Sequence, residues 1–236
     1  MMEETSEFLL DTFVELADTL AHDYDVGELL QLLVNRCSDL LLADTAGVLL
    51  ETPSGKPALA AATSKEMLEI EDLEINLGQG PCLDAYQTGE QVLVDDLEKC
   101  HDRWPQVTPR IIAIGMRSAY AFPLRLRDDS IGALNLYRTQ PSAFAPHEAR
   151  LGQALADIAA VGILQQRSVF EAERRAGQLQ HALDSRVTVE QAKGTLAERR
   201  GVTLREAFEI MRNYARRNNL KMQEVCRRVI NGDFEL

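Results

Sequence analysis

The fold of the C-terminal tail is decided by the stretch VEQAKGTLAERRGVT, residues 189–203. Gly201 ends a helix predicted over about 187–200, and Thr203 begins the next one, because its spacing to Glu206 matches a capping box. The predicted buried positions of the second helix are Leu204, Ala207, Phe208, Met211 and Ala215, and those of the third are Met222, Val225, Cys226 and Val229. We therefore predict three short helices after Ser185 that close one small core, with Phe208 as the aromatic residue at its centre.

Basic side chains follow these helices at helical spacing. Arg186, Lys193 and Arg200 are seven residues apart and share one stripe of the helix surface. The small residues Gly194 and Ala197 leave the surface beside this stripe free of large side chains. The other two helices continue the pattern with Arg205, Arg212, Arg216, Lys221 and Arg228. The stripes predict one positive surface, suited to phosphate groups and unpaired bases. The alternative is a charged face that only keeps the tail in solution.

The charge of the chain is divided unevenly. Its 25 Lys and Arg against 37 Asp and Glu give a net charge of −12, which argues against a nucleic-acid partner. From Asp184 onward, however, 11 basic residues stand against 8 acidic ones, a net of +3, whereas residues 1–183 have 14 against 29, a net of −15. An acidic body with a basic tail is the asymmetry expected when the tail binds a polyanion.

The tail, residues 184–236, resembles the ANTAR family of transcription antitermination modules. The resemblance rests on Ala192-Lys193-Gly194, Gly201, Glu206-Ala207-Phe208 and Met211-Arg212-x-x-Ala215, and it continues from Asn219 to Ile230. Thr195, Ala197 and Cys226 depart from the residues common in the family, which puts the details of packing in doubt more than identity. The resemblance implies a dimer that binds paired hairpin loops in nascent RNA. The predicted RNA-binding residues are Arg186, Lys193, Gly194, Arg200, Arg205, Arg212, Arg216 and Lys221.

A long helix is predicted before this module. No proline follows Pro146 before Ser185, and a heptad seam runs through Leu151, Leu155, Ile158, Gly162, Gln165, Val169, Ala172, Ala176, Leu179 and Leu183. We expect the N-terminal half to pack on the preceding domain and the C-terminal half, residues 165–183, to pair as a coiled coil with a second copy. A solvated linker helix is the alternative.

The N-terminal part combines helical and strand patterns. Two helices are predicted within residues 7–42, with Asp25 as the cap between them, and the first of the two belongs to the N-terminal segment 1–24. Five strands are predicted at 46–51, 58–62, 91–94, 119–126 and 131–137. The last two form an antiparallel hairpin across the turn Asp128-Asp129-Ser130. These elements predict an α+β fold.

Residues 25–164 resemble a GAF sensory domain. The resemblance rests on Gly78-Gln79-Gly80-Pro81-Cys82-Leu83-Asp84-Ala85-Tyr86, Arg103-Trp104-Pro105, Gly115-Met116-Arg117-Ser118 and Ile131-Gly132-Ala133-Leu134-Asn135-Leu136. It implies an antiparallel sheet flanked by helices and, as in many members, a pocket for a small molecule on one face of the sheet. The candidate wall residues are Cys82, Tyr86, Trp104, Ile114, Tyr120 and Phe122, each of which is equally suited to fill the core.

Catalysis and membrane insertion are not indicated. The histidines have no partnered Ser or Cys motif, phosphate-binding and nucleophile-elbow motifs do not occur, and the four cysteines are scattered. We predict no enzyme activity, metal or cofactor. The chain also has no run of about 20 apolar residues and no signal peptide, so we expect a cytoplasmic protein.

These patterns together predict a signal-responsive, RNA-binding antitermination regulator that stabilises an antiterminator hairpin in nascent RNA. A DNA-binding regulator is an alternative, because three short helices can mimic a helix-turn-helix. A sensor that only mediates protein interactions is another.

Overall fold

The computed structural model describes residues 2–21, 24–126 and 129–233. The chain divides into two compact units, Met1–Arg167 and Ser168–Leu236. Eleven of its elements belong to the first unit alone: helices α1 (Met2–Ala21), α2 (Val26–Leu40), α3 (Lys65–Leu77), α4 (Pro81–Thr88) and α5 (Thr108–Ile114), a 3₁₀ turn (Leu97–Lys99), and strands β1 (Thr45–Glu51), β2 (Pro57–Ala62), β3 (Val92–Val94), β4 (Ser118–Leu126) and β5 (Asp129–Arg138). Helix α6 (Pro146–Arg200) begins in this unit and ends in the second, which also contains α7 (Leu204–Arg217) and α8 (Met222–Asn231).

The five predicted strands form one antiparallel sheet in the order β2-β1-β5-β4-β3. β4 and β5 pair as the predicted hairpin, with Ser118 opposite Arg138 and Phe122 opposite Leu134. Asp128 of the predicted turn lies outside the described residues, whereas Asp129 belongs to β5. The α+β fold expected from the sequence is confirmed.

Each face of the sheet is covered by helices. Even-numbered residues of β4, such as Tyr120 and Phe122, pack in one core cluster with α1, α2 and the N-terminal part of α6. Odd-numbered residues, such as Ala119 and Ala121, pack in a second cluster with α3, α4 and α5. This separation follows from the two-residue repeat of a strand, which directs neighbouring side chains to opposite faces.

Local caps fix the helix boundaries that the sequence predicts. Asp25 accepts a hydrogen bond from the backbone N–H of Gly27 at 2.7 Å at the start of α2. Thr203 and Glu206 form the predicted capping box at the start of α7. Such a cap contributes about 1 kcal/mol to helix stability.

The prediction of a separate helix over 187–200 was wrong, because these residues are the C-terminal part of α6. Neither proline nor glycine interrupts residues 178–193. The hydroxyl of Thr188 donates a hydrogen bond to the backbone carbonyl of Asp184 one turn earlier. The helix therefore passes through Ser185 without a break.

The second unit has its own small core. It consists of Ala192 and Leu196 from α6, Ala207, Met211 and Ala215 from α7, and Val225, Cys226 and Val229 from α8. Phe208 is not part of this core, contrary to the prediction, and Leu204 is 52% exposed. The small alanines bring the helices together, so the Phe208 ring lies at the edge of the core instead of its centre.

Candidate functional site

The Lys193 side chain connects the basic stripes of α6 and α7. Its ammonium group lies 6.0 Å from the centre of the Phe208 ring on α7. The same group donates to both carboxylate oxygens of Glu190 at 2.8 Å, and the side chain is only 17% exposed. Cation and ring therefore form one surface feature in which each helix contributes a side chain.

The other predicted residues extend from this contact. At about 100° per residue, Arg186 and Arg200 share the α6 stripe with Lys193, and Arg205, Arg212 and Arg216 share one side of α7. We call these six residues together with Phe208 the basic face. Arg186, Arg200, Arg205 and Arg216 are exposed, and Arg212 is half-buried beside Glu209 at 3.4 Å. Ion pairs of this exposed kind contribute at most about 1 kcal/mol, so phosphate groups can replace the glutamates at little cost.

Gly194 and Lys221 are placed apart from that contact. Gly194 lies about 100° around α6 from Lys193, and a Cβ added to it would meet nothing within 4 Å. It is therefore not a position of close helix packing. Lys221 is the exposed residue that precedes α8. Helical periodicity places six of the eight predicted residues on the two stripes of α6 and α7, and Gly194 and Lys221 lie outside these stripes.

Two other arginines of the second unit support its fold. Arg199 donates to the carbonyl oxygen of Val229 at 2.8 Å, which ties the end of α6 to the end of α8. Arg228 donates to Glu224 at 3.1 Å on α8. Arg199 and Arg228 are therefore bound to groups of α8, outside the basic face.

The six predicted wall residues of a sensory pocket do not share one face of the sheet. Cys82 and Trp104 are buried in the cluster beneath α3 and α4, and Tyr86 and Ile114 pack at its edge. Tyr120 and Phe122 belong to the cluster on the opposite face and pack against Phe144. One cavity cannot be lined by all six, because β4 directs Tyr120 and Phe122 away from the other four.

A groove of about 560 Å³ is found elsewhere, along the edge strand β2. Its lining consists of Gln31, Leu59, Ala60, Ala61, Ala62, Thr63, Ser64, Lys65 and Leu68. None of the six predicted wall residues contributes to it.

Hydrogen bonds fasten the segment between β3 and α5 to α4. Asp84 on α4 accepts from the indole N–H of Trp104 at 3.1 Å and pairs with Arg103 at 2.8 Å. The guanidinium of Arg103 also lies 4.5 Å from the centre of the Trp104 ring. The motifs around Asp84 and Trp104, which are distant in sequence, thus form one contact.

A buried polar cluster that the sequence did not predict lies on the same side of the sheet. Glu71 and Glu74 of α3 are fully buried with Cys82, Asn135 and Tyr137. Their signal in the sequence is weak: two acids one helical turn apart, on the α3 face that also presents Met67 and Ile70. Within the described ranges of the chain, no group of three or more His, Cys, Asp or Glu residues is arranged to hold a metal ion.

Two family models match the chain. A GAF domain model matches residues 23–163, and an ANTAR domain model matches residues 177–230. The chain belongs to the GAF–ANTAR family. Both of these domains are regulatory and neither is a catalytic class, and the ANTAR domain is an RNA-binding antitermination module. A comparison with curated proteins gave no match.

Solved structures support the GAF fold of the first unit. The GAF domain of a phosphoenolpyruvate-protein phosphotransferase from Coxiella burnetii is similar, with a TM-score of 0.57 and 18% identity over 69% of this chain and 96% of that one. The corresponding Acinetobacter domain has a TM-score of 0.54 and 18% identity over 68% and 95%. A free methionine-R-sulfoxide reductase from Neisseria meningitidis, in complex with its substrate, has a TM-score of 0.52 and 22% identity over 73% and 91%. At these identities the likeness shows the fold alone.

No helix in the described part of the GAF–ANTAR chain is both long and apolar enough to cross a membrane.

Proposed function

We propose that this GAF–ANTAR protein is a signal-responsive regulator that binds paired hairpin loops in nascent RNA and stabilises an antiterminator hairpin. The observation that carries the proposal is the basic face within the ANTAR match at residues 177–230. RNA held as an antiterminator cannot pair into the terminator hairpin, so transcription continues. Residues 25–164 sense the signal, residues 165–183 pair two copies, and residues 184–236 bind RNA.

The chemistry of the basic face suits single-stranded loops. Arginine side chains can pair with phosphate and also stack on unpaired bases, and Phe208 adds an aromatic surface beside Lys193. Glu190 and Glu209 lie next to Lys193 and Arg212. They reduce the attraction for any polyanion, so binding depends more on how well the RNA fits the face.

A second copy of the chain is the proposed partner of α6. The N-terminal half of the heptad seam is occupied in the chain itself, since Leu155 lies in the core, Leu151 packs against it, and Gly162 lies against Leu20 and Leu29. Seam residues of the C-terminal half are exposed: Val169 by 51%, Leu179 by 72% and Leu183 by 56%. Pairing with a second α6 removes these side chains from water, which stabilises the dimer.

The remaining parts of the proposal concern the signal and the setting. The GAF domain receives an unidentified small molecule, and Cys82, Tyr86, Trp104 and Ile114 are the wall residues that share a sheet face. The protein has no enzyme activity of its own. Binding to nascent transcripts requires that it act in the cytoplasm.

Crosslinking of the protein to RNA in cells, followed by sequencing of the captured RNA, tests this function. We expect enrichment of paired short hairpin loops upstream of terminators. Enrichment of ordinary messenger or duplex RNA without such loops would contradict the proposal. A chain whose Lys193 and Arg212 are both replaced by Ala is the control for capture through the basic face.

Salt dependence separates this function from a purely protein-binding role. Contacts with phosphate weaken steeply as salt concentration rises, because binding releases condensed counterions. Capture of a partner that persists at salt concentrations abolishing RNA association would favour a protein-interaction module.

A further inference from the structure

The buried polar cluster in the GAF domain links three elements. Glu74 of α3 accepts from the backbone N–H groups of Cys82 and Leu83 in α4 at 2.9 and 3.4 Å, and from the phenol of Tyr137 in β5 at 2.5 Å. Glu71, one turn earlier in α3, accepts from the Cys82 thiol at 3.3 Å and from the Asn135 amide at 2.6 Å. The two carboxyl groups therefore hold α3 against both α4 and β5.

Among the residues that the structure describes, no positive charge faces either carboxyl group. Apart from each other, the titratable groups that affect the pKa of Glu71 and Glu74 are Cys82 and Tyr137. The charged residue of β1 is Glu51, and burial together with this carboxylate raises the pKa of Tyr86. The charged residue of α4 is Asp84, which pairs with Arg103. β2 has no charged residue, and Arg138 of β5 pairs with Glu148. Two ionised carboxylates would thus be buried without a counter-ion, which is strongly unfavourable.

Asn135 gives a second, independent indication. Its side chain lies inside the cluster and is 1% exposed as a residue, and its Oδ1 accepts no hydrogen bond within the described residues. A buried acceptor that lacks a donor is costly, so the cluster has capacity for a further hydrogen. A proton on the carboxyl pair supplies the missing positive charge.

We propose that Glu71 and Glu74 form a proton-binding site that fastens α3 to α4 and β5, so that the GAF domain becomes less stable as the pH rises to neutrality. This inference goes beyond RNA binding and does not depend on it. The site keeps one proton at neutral pH, and the second proton is the one exchanged with the solvent.

The sign of the effect follows from burial. Burial raises the pKa of Glu71 from 4.5 to about 7, and burial together with the charge of Glu71 raises the pKa of Glu74 further. The unfolded chain loses the exchanged proton above pH 4.5, whereas the folded chain keeps it until about pH 7. The stabilisation contributed by the Glu71 proton is therefore complete below pH 4.5, is lost as the pH rises through about 7, and is constant above that, whereas Glu74, which keeps its proton, affects the wild type and Glu71→Gln alike.

The single tryptophan of the chain makes this measurable, because Trp104 is buried in the same core cluster. We would follow urea unfolding of the full chain by Trp104 fluorescence between pH 5 and 8.5. The variant Glu71→Gln mimics the protonated acid, and Glu69→Gln is the matched control because Glu69 is exposed on the same helix. The quantity compared is the ratio of the unfolding equilibrium constant of the wild type to that of Glu71→Gln. We expect this ratio to rise up to about tenfold per pH unit between pH 5 and 7 and then to level off.

Two results would overturn the proposal. One is a Glu71→Gln variant with the same pH dependence as the wild type and as Glu69→Gln. The other needs no variant: the infrared carbonyl band of a protonated carboxyl group should be present in the wild type at pH 6 and weaker at pH 8.5. Absence of such a band at pH 6 would show that the pair binds no proton, even if Glu71→Gln fails to fold.

Discussion

Lys193 and Phe208 are the residues at which two helices of the ANTAR unit meet on the surface. The seven-residue spacing to Arg186 and Arg200 predicted the position of Lys193, whereas the apolar pattern of α7 predicted that Phe208 lies in the core. Spacing reveals which side chains share one helix face. The packing distance between two helices decides whether a ring fits between them, and that distance depends on Ala192, Ala207 and Ala215 together.

Replacement of Lys193 and Arg212 by Ala should weaken RNA binding at least about tenfold and lower the salt dependence of the affinity, because two phosphate contacts are lost. Titration of labelled hairpin RNA at several salt concentrations measures both effects. Arg227→Ala is the control for the loss of one positive charge, because Arg227 lies at an exposed position of α8 outside the basic face. Unchanged affinity in a folded double variant would show that the basic face is assigned to the wrong residues.

Gly80 is the glycine on which the buried cluster depends. Its φ is +135°, and an added Cβ would lie 2.2 Å from the Glu74 carboxyl group. We expect Gly80→Ala to destabilise the GAF domain by about 3 kcal/mol, because backbone strain adds to overpacking. Gly78→Ala is the comparison, since Gly78 has a φ of +64° but open space around it, and it should cost about 1 kcal/mol. Equal losses for the two variants in Trp104-detected urea unfolding would show that contact with Glu74 is unimportant.

The acidic pair shows what single-residue patterns cannot predict. Asn135 and Tyr137, the partners of Glu71 and Glu74 in β5, lie 64 and 63 residues further along the chain. Nothing in the local sequence indicates which strand residue faces an α3 acid. The fold had to be known before the cluster could be recognised.

Among the elements, α6 combines two roles along one helix. Gln166 donates to the backbone carbonyl of Tyr24 at 3.2 Å, and Arg167 donates to that of Glu51 at 2.9 Å, so the helix is held in the first unit up to these residues. These contacts confirm the prediction that the N-terminal half packs on the first unit, whereas pairing of the C-terminal half, which is rich in Glu, Arg and Gln, stays a prediction. The sequence did not predict that α6 continues to Arg200, because no residue near Ser185 distinguishes a helix that ends there from one that continues.

Replacing Leu179 and Leu183 together by Gln should dissociate the proposed dimer, because both are seam positions whose burial drives pairing. Sedimentation analysis of the full chain measures the result, and we expect the dissociation constant to rise at least about tenfold. Phe170→Gln is the control, because Phe170 is 67% exposed but lies outside the seam. If the seam variant remains as dimeric as the wild type, the second half of α6 is not the dimer interface.

For the whole molecule, the division of charge was the most informative property of the sequence. The net charge of −12 hides a basic tail of +3 and an acidic body of −15. The two family matches fall on the same division, with GAF at 23–163 and ANTAR at 177–230. The net charge of the whole chain argued against a nucleic-acid partner. The net charge of the tail alone agrees with the RNA-binding motifs that it contains.

The most direct test of the account is a side-by-side titration of the full chain with an RNA carrying two short hairpin loops and with DNA of the same sequence, at one fixed salt concentration. A fully complementary RNA duplex is the second comparison. We predict that the paired-loop RNA binds at least about tenfold more tightly than either competitor, because unpaired bases reach the arginines and Phe208 only in the loops. Equal or tighter binding of the DNA, or no preference over the duplex, would contradict the assignment of this protein to RNA antitermination.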